Sequence, residues 1–282
     1  MQTIQYPLPV GVGVTRVIEA GAGPAVLFCH GLGARADRWR TTVERIADKG
    51  YRAIAWDLPG HGFASKEANG PGDVPALADH ALGLMDALGV ETAVLVGTSL
   101  GAHIVATAAC KAPSRVKALG LVGALGVVPI DQAVAETISR NVRATERSQF
   151  PGKLKFVLHD PSLVTEAMVD EEWRVNTAPG AIAVFSRLGD YLTTRISGDY
   201  VAEQCKALFS PDKMMLIWGE EDKAVPLSVG YQCQAALSDP TLGAPELAII
   251  ADANHCPYLE QPQAFDAALS PFLKRAFADP SA

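Results

Sequence analysis

Residues 95–103 read LVGTSLGAH. An apolar run reaches Gly97, Ser99 follows, and a second glycine stands at Gly101. The segment 92–99, TAVLVGTS, is strand-like, and 100–113, LGAHIVATAACKAP, is helix-like and stopped by Pro113. A serine on a sharp strand-to-helix turn is held in a strained backbone, with its hydroxyl clear of the sheet. Small residues two positions away on each side let strand and helix pass closely. The N–H of Leu100 then lies at a helix N-terminus, aimed at any oxyanion forming beside Ser99. A surface turn would explain the glycines alone; a nucleophile explains the glycines and the serine together.

Outward from this turn, six further runs are strand-like: 14–20, 25–30, 51–57, 116–123, 213–219 and 246–252. Their near-continuous hydrophobicity marks strands covered on both faces, as in a parallel sheet. Segments 36–50 and 74–89 are helix-like, each ending on a glycine. Alternating strands and helices predict an α/β fold. The rhythm breaks between about Gly126 and Lys206, where three helix-like stretches follow one another with no strand between them. This block reads as a helical insertion.

Of the 282 residues, 49% are hydrophobic and 20% charged, enough for a large core and unlike a disordered chain. The net charge of −7 and the lack of a Lys/Arg cluster argue against nucleic-acid binding. The five cysteines (Cys29, Cys110, Cys205, Cys233, Cys256) are scattered, without a CxxC pair, which suggests neither a disulfide framework nor a zinc site. No signal-peptide pattern opens the chain, and no apolar run approaches the roughly 18 residues of a membrane span. A cytoplasmic protein acting on a small-molecule substrate is expected, with no metal, cofactor, nucleic-acid or membrane partner and with a homo-oligomer left open.

A serine hydroxyl needs a base, and the base an orienting acid. Among the histidines, His30 and His61 fit loop and turn roles, and His80 and His103 sit in helix-like segments. His159 falls in the insertion. His255 follows the last strand-like run, at the sheet edge where a base could reach Ser99. Glu220, Glu221 and Asp222 follow MMLIWG. Asp222 leads into a turn that could direct its carboxylate inward, whereas the two glutamates suit solvent.

The order Ser99, Asp222, His255 resembles that of the α/β-hydrolase superfamily. FCHGLGARADRW (28–39) is similar to its oxyanion loop, WDLPGHGFAS (56–65) to its next turn, and WGEEDKAVP and NHCPYLEQP to its acid and histidine loops. The resemblance implies an eight-stranded, mostly parallel sheet, with a core of 1–126 and 207–282 and a lid of 127–206. It places the second oxyanion donor at the N–H of Leu32, with Gly33 close by. Gly31, Gly33, Thr98, Trp173, Phe185 and Leu188 are the expected pocket residues, although Thr98 could shape only the bend and the lid residues could simply seat the lid. Six lid arginines (Arg140, Arg143, Arg147, Arg174, Arg187, Arg195) could meet an anionic substrate, though arginines are mostly solvated.

The segment 158–181 is similar to the lid of hydrolases that cleave carbon–carbon bonds in ring-cleavage products. Those enzymes usually carry Trp after the catalytic histidine, where this chain has Cys256, and tend to carry Arg before the lid aromatic, where it has Glu172. They also have Gly-Pro-Gly where this chain reads HGLGARADRW. These departures favour hydrolysis of a small carboxylic ester, with carbon–carbon hydrolysis of dienoates as the alternative.

Overall fold

The computed structural model describes residues 2–67 and 69–278. Eight strands form one sheet: β1 (Ile4–Val10), β2 (Gly13–Ala20), β3 (Ala25–Cys29), β4 (Arg52–Trp56), β5 (Ala93–Thr98), β6 (Val116–Val122), β7 (Met214–Gly219) and β8 (Glu246–Ile250). Their spatial order is β1-β2-β4-β3-β5-β6-β7-β8. β1 and β2 pair antiparallel, as do β2 and β4, and the remaining pairs are parallel. Strand β1 is absent from the sequence expectation. It is an edge strand with mostly exposed or half-exposed side chains, and Pro7 and Pro9 weaken its strand signal.

Period-two alternation distributes the strand side chains between two cores. On β3, Ala25, Leu27 and Cys29 enter one cluster, and Val26 and Phe28 the other. The first cluster is closed by helices α2 (Val74–Ala87) and α3 (Leu100–Lys111); the second by α1 (Arg40–Ala47) and the C-terminal helix. A 3-10 turn, Ala36–Trp39, precedes α1, so the helix-like segment 36–50 is two elements.

Between β6 and β7 lie α4 (Gln132–Val142), α5 (Phe150–Val157), α6 (Glu166–Asn176), α7 (Ala181–Thr194) and α8 (Ala202–Leu208). Of the three helix-like stretches in the insertion, the first, 129–150, is not one helix: α4 stops at Val142. A capping box between Glu146 and Gln149 starts a 3-10 turn, Arg147–Gln149, which leads into α5 as a separate helix with Pro151 in its first turn. The chain closes with α9 (Leu227–Leu237), the short α10 (Pro257–Glu260) and α11 (Pro262–Phe277). Among the described residues, no helix is long and apolar enough to cross a membrane.

Candidate active site

The parallel strands β3, β5, β7 and β8 end at one edge of the sheet, and the loops there carry His30–Gly33, Ser99, Asp222 and His255. Ser99 has φ 56° and ψ −124°, a backbone region that costs a non-glycine residue about 1–3 kcal/mol. The surroundings enforce it. Ser99 N–H donates to the Val122 carbonyl at 2.9 Å, and the Ser99 carbonyl accepts from Ala102 and Leu125. The two glycines are there for space. A Cβ on Gly97 would stand 2.3 Å from the Gly101 oxygen, and one on Gly101 would stand 2.5 Å from the His30 oxygen.

Asp222 and His255 meet directly, with His255 Nδ1 2.8 Å from Asp222 Oδ2. Asp222 Oδ1 accepts from the N–H groups of Ala224 and Val225 at 2.9 and 2.8 Å, which fixes the carboxylate. A carboxylate held this way accepts, so Nδ1 carries the hydrogen and Nε2 keeps the lone pair. Gly123 lies beneath the pair at φ +48°, and a Cβ there would be 3.0 Å from both Asp222 Oδ2 and His255 Nδ1. Gly123→Ala is therefore expected to lower kcat about 10–100-fold and stability by about 1–3 kcal/mol. Steady-state kinetics and urea denaturation check this; unchanged kcat would show that the pair tolerates displacement.

Ser99 and His255 line a cavity with about 740 Å³ of empty space, its open mouth included. Gly31, Leu32, Gly33 and Thr98 line it too. Among the described residues, the N–H groups of Leu32 and Leu100 donate to no protein acceptor. His30 shapes this loop from beneath. Leu58 N–H donates to its Nε2 at 2.9 Å, so its Nδ1–H donates to the Gly31 carbonyl at 2.8 Å. Burial lowers the His30 pKa and favours the neutral ring that this arrangement requires.

Three expected pocket residues lie elsewhere. Trp173 donates Nε1–H to the Thr145 carbonyl at 3.0 Å and packs against Phe150 and Leu154. Phe185 meets the His61 ring edge-on and packs on Val142 and Ala181. Leu188 is sunk in the main core. All three seat the lid, because the apolar faces of α6 and α7 turn toward neighbouring elements and away from the cavity. The lid instead offers Ile138, Asn141 and Val142 from α4, Lys153, Leu154, Phe156 and Val157 from α5, and Glu172 from α6. None of the six lid arginines lines the cavity. Arg143, Arg147 and Arg195 pair with surface acids. His159 pairs with Glu221 at 3.0 Å.

The cations that do reach the cavity are Arg38 and Lys153. Glu172 is buried and accepts from Arg35 Nη1 at 2.9 Å and Arg38 Nη2 at 3.2 Å. Burial alone would raise its carboxyl; Arg38, Lys153 and Arg35 outweigh that and hold it below its ordinary value. Asn176 Nδ2 donates to the Gly33 carbonyl at 3.0 Å and to Glu172 at 3.4 Å, tying α6 to the loop at Gly33. The strand-to-helix turn and the loop after the last strand mark Ser99 and His255, but nothing marks Lys153, one of two lysines in a short helix.

Burial pushes the Lys153 ammonium down to about 8. Its folded pKa lies below the ordinary value of 10.5, so the unfolded chain binds more protons between these values. Stability from this group is present above 10.5 and is lost as pH falls through about 8. Lys153→Met, which keeps the apolar stem, is expected to stabilise the protein at pH 7 by about 2–3 kcal/mol. The advantage should fade above pH 10.5. Urea melts at neutral and alkaline pH check this; an equally stable variant at pH 7 would mean the charge is solvated.

Residues 24–262 match the alpha/beta hydrolase fold family, and the chain belongs to it. It is 29% identical over 266 residues to the dihydrolipoyllysine-residue acetyltransferase component of the acetoin cleaving system of Cupriavidus necator, covering 93% of this chain and 67% of that one. It is 27% identical over 268 residues to a 2-hydroxymuconate semialdehyde hydrolase of Pseudomonas sp. strain CF600, covering 94% and 92%. The solved structure of a meta-cleavage product hydrolase from Pseudomonas fluorescens IP01 superimposes with a TM-score of 0.83 at 26% identity, covering 96% and 98%.

Proposed function

We propose that the protein is a serine hydrolase that cleaves a small carboxylic ester through Ser99, His255 and Asp222. His255 Nε2 takes the Ser99 proton as Oγ attacks the acyl carbon, and Asp222 steadies the imidazolium. The free N–H groups of Leu32 and Leu100 receive the oxyanion, each contributing on the order of 3 kcal/mol to the transition state. His255 then protonates the leaving alcohol. Water, deprotonated by the same nitrogen, releases the acid and restores Ser99. The observation that carries this reading is the 2.8 Å His255–Asp222 contact beside a serine held at φ 56° on the wall of one cavity.

A fluorophosphonate probe tests the nucleophile: it should label folded protein at Ser99, and absence of labelling would overturn the reading. The second reading, carbon–carbon hydrolysis of a dienoate, is favoured by the full-length likeness to the 2-hydroxymuconate semialdehyde hydrolase. Turnover of short p-nitrophenyl esters beside a ring meta-cleavage product separates the two. Robust carbon–carbon cleavage with negligible esterase activity would replace ester hydrolysis as the conclusion.

A further inference from the structure

We propose that Lys153, with Arg38 beside it, binds a carboxylate carried by the substrate, so that the ester cleaved is a short half-ester of a dicarboxylic acid. The proposal rests on Ser99 being the nucleophile only for the word ester; the anion subsite stands on its own geometry.

Lys153 Nζ is sealed from solvent although part of the side-chain stem reaches the surface. Among the described residues it has no hydrogen-bond partner and forms no ion pair. The Phe150 ring, 5.0 Å away, supplies some cation–π attraction but no acceptor. The nearby carboxylate of Glu172 is already taken by Arg35 and Arg38. This end of the cavity therefore holds more positive charge than its one buried carboxylate neutralises. A buried ammonium without an acceptor is a costly arrangement, and a bound anion would supply what it lacks.

The position also fits. Lys153 lines the same cavity as Ser99 and His255, and its Nζ would lie 3.2 Å from a Cβ on Gly33, two residues from Gly31 at the serine. Leu32, Val142, Leu154 and Val157 line the cavity as well, a surface for a short methylene chain. A monoanion suits the site better than a phosphate dianion, because Glu172 belongs to the same wall and repels additional negative charge. The other ionisable groups around the cavity are Arg38, Glu172, His255, Cys256 and Tyr258. Burial raises the Cys256 thiol to about 12 and places Tyr258 higher than its ordinary value, so neither adds negative charge near neutrality.

The test compares the p-nitrophenyl half-ester of glutarate with p-nitrophenyl butyrate for the wild type, Lys153→Met and Lys153→Arg. The wild type should prefer the anionic ester. In Lys153→Met the ratio of the two kcat/KM values should fall at least about tenfold, mainly through KM, and Lys153→Arg should restore most of it. In the wild type the preference should fade as pH rises past about 8, and in the arginine variant it should persist. An unchanged ratio in Lys153→Met overturns the proposal. A second arm needs no turnover: calorimetric titration of Ser99→Ala with monomethyl glutarate, a monoanion that this variant cannot cleave, should show saturable binding that Lys153→Met, added to it, weakens about tenfold. Equal binding by both variants overturns the subsite. Binding of monomethyl glutarate without any esterase activity in the wild type would sink the hydrolase reading and leave the subsite standing; ester turnover without charge preference would do the reverse.

Discussion

Replacing Ser99 by alanine is expected to lower kcat for ester hydrolysis by about 10⁵-fold, leaving fold and stability near wild type. Alanine keeps the Cβ and hence the backbone cost of φ 56°, but removes the only atom that could form the acyl-enzyme. His255→Ala should cost about as much, because in the proposed reaction Ser99, His255 and Asp222 act as a unit, and the double variant should be little worse than either single one. The same turn makes a counter-prediction about stability. Ser99→Gly relieves the left-handed strain and should raise the unfolding free energy, read from urea denaturation, by about 1 kcal/mol, while being as inactive as the alanine variant. Activity retained in Ser99→Ala would show that the turn is structural and that the chemistry resides elsewhere in the cavity.

The second large effect concerns the buried charges behind that cavity. Glu172→Ala is expected to destabilise the protein by about 3–5 kcal/mol. Arg35 would keep Asp37 and Glu171 as partners, at 2.9 and 2.7 Å, but Arg38 would lose its only ion pair among the described residues and remain buried beside Lys153. Removing one partner of a buried pair leaves the other's desolvation uncompensated, and that cost exceeds what the pair contributes over an apolar substitute. Glu172→Ala combined with Arg38→Met should therefore regain much of the loss. The carboxylate also fixes the pH response. Its folded pKa lies below 4.5, so its contribution is present above that value and is lost as pH falls through the depressed one. Because Asn176 links Glu172 to the Gly33 carbonyl, the alanine variant should also show a lower kcat. Urea midpoints at constant m-value, with kinetics on the folded fraction, check both parts; a loss under 1 kcal/mol would mean that water reaches Arg38 freely.

Much of this molecule could be read from local pattern. Seven of the eight strands announce themselves as apolar runs, because strands covered on both faces have no polar side. The glycines around Ser99 fix the turn, because the strand and helix crossing there leave no room for a Cβ. Asp222 and His255 stand out by following later strands, and in a parallel sheet the ends of such strands share one edge. Strand β1 escaped notice because its pairing with β2 depends on a partner and not on its own hydrophobicity.

The sequence by itself determined the alternating α/β plan, the place of Ser99 and the residues that could serve it, since each depends on periodicity and chain order. Only the tertiary structure decided which lid side chains face the cavity. Trp173, Phe185 and Leu188 are as apolar as a pocket wall needs, but the packing of α6 and α7 turns them away. Lys153 looks like any surface lysine in the sequence, and becomes an unpaired buried cation only when α5 folds against the loop at Gly33. Which face of a helix meets which neighbour is a long-range packing question, and hydrophobic pattern gives the presence of a buried face without naming what lies opposite it.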